Sequence, residues 1–449
     1  MKKRIAACVL IAIGLIIAYP FVAREIGEPD FAARDEFVAL EDTLRDNIPF
    51  DPGAWQEFVS LARELEARKE QLRESVRREF AFDLYAHSRS MLYPPMPAAA
   101  PEINETDKAR FRDAIVLSRV EFMASGLPER IGRVLAHPGL RPPPFTDAIT
   151  LTHAATEMDH HALRAISSAL AWLADDAARS GDVASFRTHL RDQFRLARMV
   201  TKRPASIALI VGRSLEYQGF MTVDETVTLD ACTPEMRIAA LDELLANAAL
   251  PAMTEEAIID GERLFGLDMI RALYDGDELA PGVRPNPLVV WWKNPSENTT
   301  REDFDRLIDS ARVLAATPRP QAEDLTETPD RILDALAGES MFFNMHAPLL
   351  GDLMRMIDGQ QCYRGATILR TAILVHRDQT GALPYSLDDL IDAGVLKALP
   401  EDPYAADARF RYRTDPATPL GFVLYSVGIN AEDHGGTPHP EEGHIRSIS

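Results

Sequence analysis

The apolar positions of this chain recur mostly at intervals of three and four residues, the spacing that places them on one face of an α-helix. Stretches with this spacing cover about residues 31–45, 52–91, 106–125, 148–179, 183–200, 206–223, 234–248, 254–274, 301–316, 329–336 and 348–378. Gly181 and Asp182 stand between two of these stretches and predict a tight turn with a returning helix, an αα-hairpin. Because the stretches show no sequence period, we expect a mainly α fold with an irregular helical bundle rather than a solenoid.

The first apolar stretch differs from the others because it has no polar face. Ile5–Val22 contains eighteen residues without a charge and directly follows Lys2, Lys3 and Arg4. As a helix it would measure about 27 Å, close to the roughly 30 Å of a bilayer hydrocarbon core. The positive-inside rule keeps a basic start in the cytoplasm. We therefore expect residues 1–24 to form a single-pass transmembrane signal anchor in a bacterial inner membrane, with the bulk of the chain in the periplasm.

A cleaved signal peptide is the alternative interpretation of this start, since it also combines a basic beginning with an apolar run. The apolar run of a signal peptide usually has about 7–15 residues, which is shorter than the stretch in this chain. The sequence after Tyr19 also lacks a clean small-x-small cleavage site. The anchor is therefore the preferred interpretation.

Near the C-terminus the apolar period changes from helical spacing to alternation. Residues 408–413 and 421–427 alternate on either side of an Asp-Pro turn, which predicts an antiparallel β-hairpin. The second strand has two faces, formed by Phe422, Leu424 and Ser426 and by Val423, Tyr425 and Val427. We expect one face to pack on the apolar stripe Ile368, Ala372 and Val375 of the preceding helix.

The length and the charge of the chain limit its domain organisation and the partners that it can bind. Its 449 residues exceed the size at which one core usually stops growing, so we expect two compact units. These are a helical extracytoplasmic domain over residues 25–340 and, over residues 341–449, a long helix with a small α+β unit. The formal charge of −21, from 69 acidic and 48 basic residues, opposes binding to nucleic-acid phosphates.

The cysteines leave two interpretations open. Beyond Cys8 in the anchor, the chain has only Cys232 and Cys362. An oxidising compartment would permit a bridge between them, but their spacing does not fix a pairing. Two buried free thiols are the preferred expectation, and the bridge is the alternative.

A series of short motifs follows the long helix at the C-terminus. Its elements are Gly381, Leu383-Pro384, Leu387, Leu390, Leu399-Pro400, Asp402-Pro403, Tyr412 and Tyr425-Ser426-Val427-Gly428. In order and spacing they resemble the C-terminal half of the major pseudopilins of type II secretion systems. The resemblance covers about residues 363–436, one sixth of the chain, and implies a small α+β pseudopilin-like unit.

In that family the loop after the second strand binds calcium through carboxylate and carbonyl oxygens. Carried over by position, Asn430 and Asp433 would supply side-chain oxygens and Val427 a carbonyl oxygen, with Glu432 as a weaker candidate. Asn430 stands where the family favours aspartate, and the acidic loop is shorter than in the family. The alternative is an Asx-rich turn with two glycines and no metal.

A further departure from the family concerns assembly. Pilins and pseudopilins carry a short leader and a glutamate at the fifth mature position, whereas this chain begins its apolar helix at Ile5 and has no glutamate until Glu25. We therefore expect a pseudopilin-like unit on a different anchor, without pilin polymerisation. The whole layout resembles uncharacterised bacterial membrane-anchored envelope proteins, a resemblance that supplies an architecture but no activity.

Motifs for catalysis are few. The sequence contains no Gly-x-Ser-x-Gly, P-loop, Rossmann fingerprint or His-Glu-x-x-His. One helix face carries a metal-like set, His153, Glu157, His160 and His161. A di-iron bundle needs a second Glu-x-x-His motif, which this sequence lacks, so we expect a polar face rather than a metal site.

An acidic helix supplies the enzymatic hypothesis. Its carboxylates are Glu255, Glu256, Asp260 and Glu262. Paired carboxylates serve glycoside hydrolysis when one of them lies in an apolar pocket that raises its pKa. Glu262, with Glu256 as the second carboxylate, would then act in a helical periplasmic hydrolase of cell-wall glycan. An exposed acidic face is the simpler expectation for a chain with this excess of acids.

The anchor, the helical bulk and the pseudopilin-like unit together predict a membrane-anchored extracytoplasmic interaction or scaffold protein of the bacterial envelope, beside a secretion or pilus-type assembly. It would contact the membrane through residues 5–22 and bind an envelope protein, but no nucleic acid. The hydrolase acting through Glu262 is the alternative.

Overall fold

The structure of the chain is a computed structural model that describes residues 32–44, 50–80, 117, 119–143, 160–202, 206–250, 254–278, 284, 286, 297–316, 341–428 and 433–436. The described part is mainly helical, as the sequence predicts. Its helices are α1 (Ala32–Leu44), α2 (Pro52–Phe80), α3 (Leu127–Leu135), α4 (His160–Ser180), α5 (Val183–Thr201), α6 (Ser206–Val227), α7 (Pro234–Ala248), α8 (Glu255–Asp275), α9 (Glu297–Ala316), α10 (Met341–Thr380) and α11 (Asp389–Asp392). Its strands are β1 (Arg411–Thr414) and β2 (Phe422–Tyr425).

The predicted anchor, residues 5–22, lies outside the described residues. None of the helices in the ranges given above combines the length and the apolar character that a membrane span requires. The signal anchor therefore stays a prediction from the sequence.

Helices α4 and α5 form the αα-hairpin that the sequence predicts. Gly181 has a φ of 77°, a left-handed conformation that glycine adopts without steric cost. The N–H of Asp182 then donates to the carbonyl oxygen of Ala177 at 2.9 Å and closes α4. The carboxylate of Asp182 in turn accepts from the N–H of Ser185 at 3.0 Å and caps α5. Two adjacent residues thus end one helix and begin the next.

Helices α4, α5 and α6 pack against one another in the middle of the molecule. Helix α2 packs on α4, α7 packs on α5, and α10 packs on both α6 and α7. Helix α8 contacts α1 and α9. The approach of α8 to α9 requires Gly266, because a Cβ there would lie 2.1 Å from Cζ of Phe304. The described helices therefore form an irregular bundle.

Two large apolar clusters and a small third one, formed by Leu209, Ile258 and Ile357, lie in the interior of the described part. The first cluster contains side chains of α1, α2, α3, α8 and α9 with adjoining parts of α4, α5 and α6, and Phe58 and Phe304 are among them. The second cluster contains the remaining parts of α4, α5 and α6 together with α7, α10 and the C-terminal strands, including Phe220 and Phe422. The second cluster contains side chains from before and after residue 340, where the sequence predicts a domain boundary. That boundary stays a prediction.

The C-terminal unit contains the predicted β-hairpin. Strands β1 and β2 pair antiparallel, with Arg411 opposite Tyr425 and Thr414 opposite Phe422. This confirms the predicted pairing, although both strands are shorter than the alternating stretches of the sequence. Phe422 and Leu424 are buried in the second cluster with the predicted helix stripe, Ile368, Ala372 and Val375.

Gly365 of α10 is a point of close approach between this helix and the C-terminal unit. A Cβ at this position would lie 2.9 Å from Cε2 of Phe410 and 3.2 Å from Cβ of Pro400. The unit therefore rests directly on the helix backbone at Gly365.

Candidate functional site

The structure does not bring the two carboxylates of the enzymatic hypothesis together on one face. Glu256 is exposed in the first turn of α8, whereas Glu262 has only 3% of its surface exposed. Six helical residues correspond to about 9 Å along the axis and about 240° around it, so the two side chains leave α8 in different directions. Glu262 belongs to the buried side of α8, the helix that packs against α1 and α9.

The predicted calcium loop is described only in part, because residues 429–432, including Asn430, lie outside the described residues. Oδ1 of Asp433 accepts from Oη of Tyr425 and from the N–H of Gly435, both at 2.9 Å. Its Oδ2 lies 3.6 Å from Nε of Arg411. The Gly435 N–H, with Tyr425 and Arg411, holds the pKa of Asp433 below its usual range. Asp433 is therefore ionised and already paired with protein donors.

Val427, the third calcium candidate, is buried, and its N–H donates to Oδ2 of Asp402 at 3.4 Å. In the part of the chain that the structure describes, no three His, Cys, Asp or Glu side chains are grouped to hold a metal ion. Calcium binding thus stays a prediction of the pseudopilin resemblance.

Asp402 joins two of the C-terminal motifs. Its side chain, in a residue that is 1% exposed, accepts from the N–H of Tyr404 at 3.0 Å and from Oγ of Ser426 at 2.9 Å. Burial raises the pKa of Asp402, and the hydrogen bonds from Tyr404, Ser426 and Val427 oppose that rise. The Asp-Pro motif and the Tyr-Ser-x-Gly motif, which are 24 residues apart, are therefore fixed to each other by one buried carboxyl group.

A turn between α10 and α11 presents a tyrosine to solvent. Tyr385 is 94% exposed. The carboxylate of Asp389 accepts from the N–H groups of Tyr385 at 2.6 Å and Ser386 at 3.2 Å, and also from Oγ of Ser386. Oη of Tyr412 donates to the carbonyl oxygen of Pro384 at 2.8 Å. We call residues 383–389 the Tyr385 turn, and its backbone is fixed on both sides of the exposed ring.

The two cysteines in the described part are free and buried, which confirms the preferred expectation of two thiols. Burial raises the pKa of Cys232 to about 11 and that of Cys362 to about 12. Both therefore remain protonated and unreactive in the folded chain. The metal-like set around His153 falls outside the side chains that the structure describes.

A row of polar side chains lies between α6 and α10, and the sequence did not predict it. We call it the polar seam; its members are Arg213, Glu216 and Asp224 of α6 and Gln360, Tyr363, Thr367 and Arg370 of α10. At one end, Oδ2 of Asp224 accepts from Oη of Tyr363 at 2.9 Å and from Oγ1 of Thr367 at 3.3 Å. Nη1 of Arg370 lies 3.6 Å from the other oxygen, Oδ1. Burial raises the pKa of Asp224, and Arg370, Tyr363 and Thr367 oppose the rise. Such a buried ion pair is costly to break from one side.

At the other end of the polar seam, Glu216 accepts from Nδ2 of Asn247 at 2.9 Å and from the side-chain amide of Gln360. Nη1 of Arg213 lies 3.7 Å from Oε2 of Glu216. Burial lowers the pKa of Arg213; Glu216 opposes this effect and Arg364 adds to it. Since Gln360 meets Glu216 and Tyr363 meets Asp224, the contacts advance along both helices in the same direction, and α6 and α10 run parallel here.

The sequence contains one signal for this seam, which is easy to miss. Arg213, Glu216, Phe220 and Asp224 recur at helical spacing and place three charges on a face that also carries a buried phenylalanine. Charges on an apolar face indicate a partner with matching polar groups, but they do not identify the helix that supplies it.

No protein-family model matches this chain, and neither the curated proteins nor the solved structures contain a match.

Proposed function

We propose that this chain is a membrane-anchored extracytoplasmic scaffold of the bacterial envelope that binds a protein partner through its C-terminal unit. The observation that carries the proposal is the Tyr385 turn, in which a ring that is 94% exposed stands on a hydrogen-bonded backbone. Tyrosine is enriched at interface hot spots because it combines apolar area with a polar tip. A backbone that is already fixed reduces the entropy lost on binding.

The connection of the C-terminal unit to the helices supports a scaffolding role. The unit rests on α10 at Gly365 and shares the second apolar cluster with α5, α6 and α7. Nη1 of Arg237 on α7 also lies 2.8 Å from Oδ2 of Asp378 near the end of α10. A partner bound at the Tyr385 turn would therefore take a defined orientation relative to the bundle.

The class of partner follows from the sequence. The predicted Ile5–Val22 anchor supports a location at the inner membrane with the bulk of the chain in the periplasm, and the pseudopilin resemblance favours a protein of a secretion or pilus-type assembly. The charge of −21 favours a protein surface over nucleic acid.

Site-specific crosslinking in cells tests the proposal. A benzophenone amino acid replaces Tyr385 in the full chain, and we expect one discrete crosslinked envelope protein after irradiation. The matched control places the same group at Val313 of α9, which is 60% exposed but far along the chain from the turn. The control should give no such product. Identical products at both positions, or none at position 385, would contradict the proposal.

An assay on the purified full chain tests the alternative hydrolase. If the purified chain releases soluble fragments from peptidoglycan and Glu262→Gln abolishes this release, the hydrolase hypothesis is favoured over the scaffold proposal. We expect no fragment release above that of the Glu262→Gln variant.

A further inference from the structure

Two arginines, Arg213 of α6 and Arg364 of α10, lie along the polar seam with fewer acidic partners than their charges require. Nε2 of Gln360 on α10 donates to the carbonyl oxygen of Arg213 on α6 at 3.3 Å. Arg364 lies four residues after Gln360, so it occupies the same face of α10 one turn further on. Arg364 and Arg213 thus flank the seam from opposite helices, and their mutual repulsion is one cause of the lowered pKa of Arg213.

Glu216, the carboxylate that lies beside Arg213 among the described residues, does not neutralise this pair. Glu216 is 3.7 Å from Arg213, beyond hydrogen-bond distance, and it already accepts from Asn247 and Gln360. Among the described residues, Nε of Arg213 and Oε1 of Gln360 have no hydrogen-bond partner. Within the same ranges, the side chain of Arg364 forms no hydrogen bond or ion pair. Two positive charges therefore face one negative charge in a chain whose total charge is −21.

The position of these groups is compatible with entry of a ligand from solvent. The side chain of Arg213 is 11% exposed, whereas Arg364 is only half-buried. Tyr217, one turn after Arg213, is 38% exposed, and its ring centroid lies 4.6 Å from that of Tyr363. The seam therefore reaches the protein surface at Tyr217, whereas Asp224, which is 8% exposed, is buried.

We propose that Arg213 and Arg364 bind the carboxylate or phosphate group of a small molecule at the Tyr217 end of the polar seam. Guanidinium groups donate two parallel hydrogen bonds to such oxyanions, and a partly dehydrated arginine gains more from the pairing than an exposed one. An oxyanion would supply the negative charge that Glu216 does not, and Nε of Arg213 would gain an acceptor. The site is independent of the partner surface at the Tyr385 turn.

Thermal unfolding of the full chain in detergent, with inorganic phosphate and citrate as probes, tests the site. Ionic strength is held constant with sodium chloride, so that general screening does not contribute. We expect either anion to raise the melting temperature by about 1–2 °C at tenfold its dissociation constant. Arg364→Gln should abolish this rise and, without anion, leave the chain at least as stable as the wild type, because it removes a repulsion.

Two further variants keep the test decisive. Arg409→Gln is the matched control, since Arg409 is exposed and paired with Asp388 at 3.0 Å, and it should keep the full anion response. Arg213→Lys retains the positive charge but lacks the planar guanidinium that donates two parallel hydrogen bonds. It should weaken anion binding, measured by titration calorimetry, at least tenfold. An equal response of the wild type, Arg364→Gln and Arg409→Gln would overturn the proposal, as would a loss of stability in anion-free Arg364→Gln.

Discussion

Asp224 and Asp402 show how this chain accommodates carboxylates in its interior. Each is almost completely buried, and each accepts hydrogen bonds from groups that are distant in the sequence or follow a tight turn. Tyr363 reaches Asp224 across 139 residues. The apolar periodicity of the sequence identifies neither partner, because a buried polar group is satisfied by whatever the fold brings next to it. These contacts are therefore the part of the molecule that the sequence alone does not predict.

At the residue scale, Asp192 of α5 should make the stability of the chain depend on pH. Burial raises the pKa of Asp192 to about 6, against the opposing effect of Arg195 and Arg191. The pKa of an aspartate in the unfolded chain is about 3.9. Between about pH 4 and pH 6 the folded chain therefore binds the proton of Asp192 more strongly than the unfolded chain does. The contribution of Asp192 to stability therefore falls as the pH rises from about 4 through about 6.

Asp192→Asn should accordingly stabilise the chain at pH 7 by about 1–3 kcal/mol, with a gain that shrinks towards zero near pH 4. Urea unfolding at pH 4, 5.5 and 7 measures the difference. Asp182→Ala should instead destabilise the chain at pH 7. The Ser185 N–H lowers the pKa of Asp182, so the ionised carboxylate stabilises the folded chain at this pH. A gain for Asp192→Asn that is equal at all three pH values would contradict this account.

A second residue-scale prediction concerns Asp433 and calcium. The pseudopilin resemblance predicts that millimolar calcium, but not magnesium, raises the melting temperature, because a ligand that binds only the folded state stabilises it. Arg411 lies beside Oδ2 of Asp433 and would compete with the ion, so Arg411→Gln should increase the calcium response. Asp433→Ala should abolish it. Identical melting curves with and without calcium for all three chains would leave Asp433 as a turn-stabilising residue.

At the scale of elements, local chemistry made several helices predictable. Helix α7 coincides with the predicted 234–248, and α5 and α8 differ from their predicted ranges by about one residue. Each begins at a side-chain cap, Asp182, Thr233 or Thr254, which accepts from the N–H three residues later. The polar seam was not predictable in the same way, since it depends on which two helices become neighbours.

Two glycines of α10 give an element-scale prediction with an internal control. At Gly359 an added Cβ would meet only Oη of Tyr404 at 3.6 Å, whereas at Gly365 it would meet Phe410 at 2.9 Å. Gly359→Ala should therefore stabilise the chain by about 0.5–1 kcal/mol through helix propensity alone. Gly365→Ala should be less stable than Gly359→Ala by about 1–3 kcal/mol, because it overpacks the contact with the C-terminal unit.

Chemical unfolding followed by circular dichroism measures both variants. Equal stability of the two alanine variants would show that Phe410 moves away without cost and that the contact at Gly365 is loose.

At the scale of the whole molecule, the second apolar cluster makes the C-terminal unit part of the bundle. Cys232, which follows α6, and Cys362 on α10 both belong to this cluster. We therefore expect both thiols to become reactive towards a disulfide reagent at the same denaturant concentration at which helicity is lost. Single-cysteine variants on a Cys8→Ser background separate the two signals. Earlier reaction of Cys362 than of Cys232 would indicate that the C-terminal unit unfolds by itself.

The contact of Arg237 with Asp378 spans 141 residues, and that of Gln360 with Glu216 spans 144. Ribosomes add about 5–20 residues per second, so the stretch from the end of α7 to the middle of α10 takes on the order of ten seconds to synthesise. During this time the faces of α6 and α7 that later meet α10 have no cover, and such long-range closure is intrinsically slow. The nascent chain is therefore most prone to aggregation in these early helices, and a premature stop before Tyr363 would leave them exposed permanently.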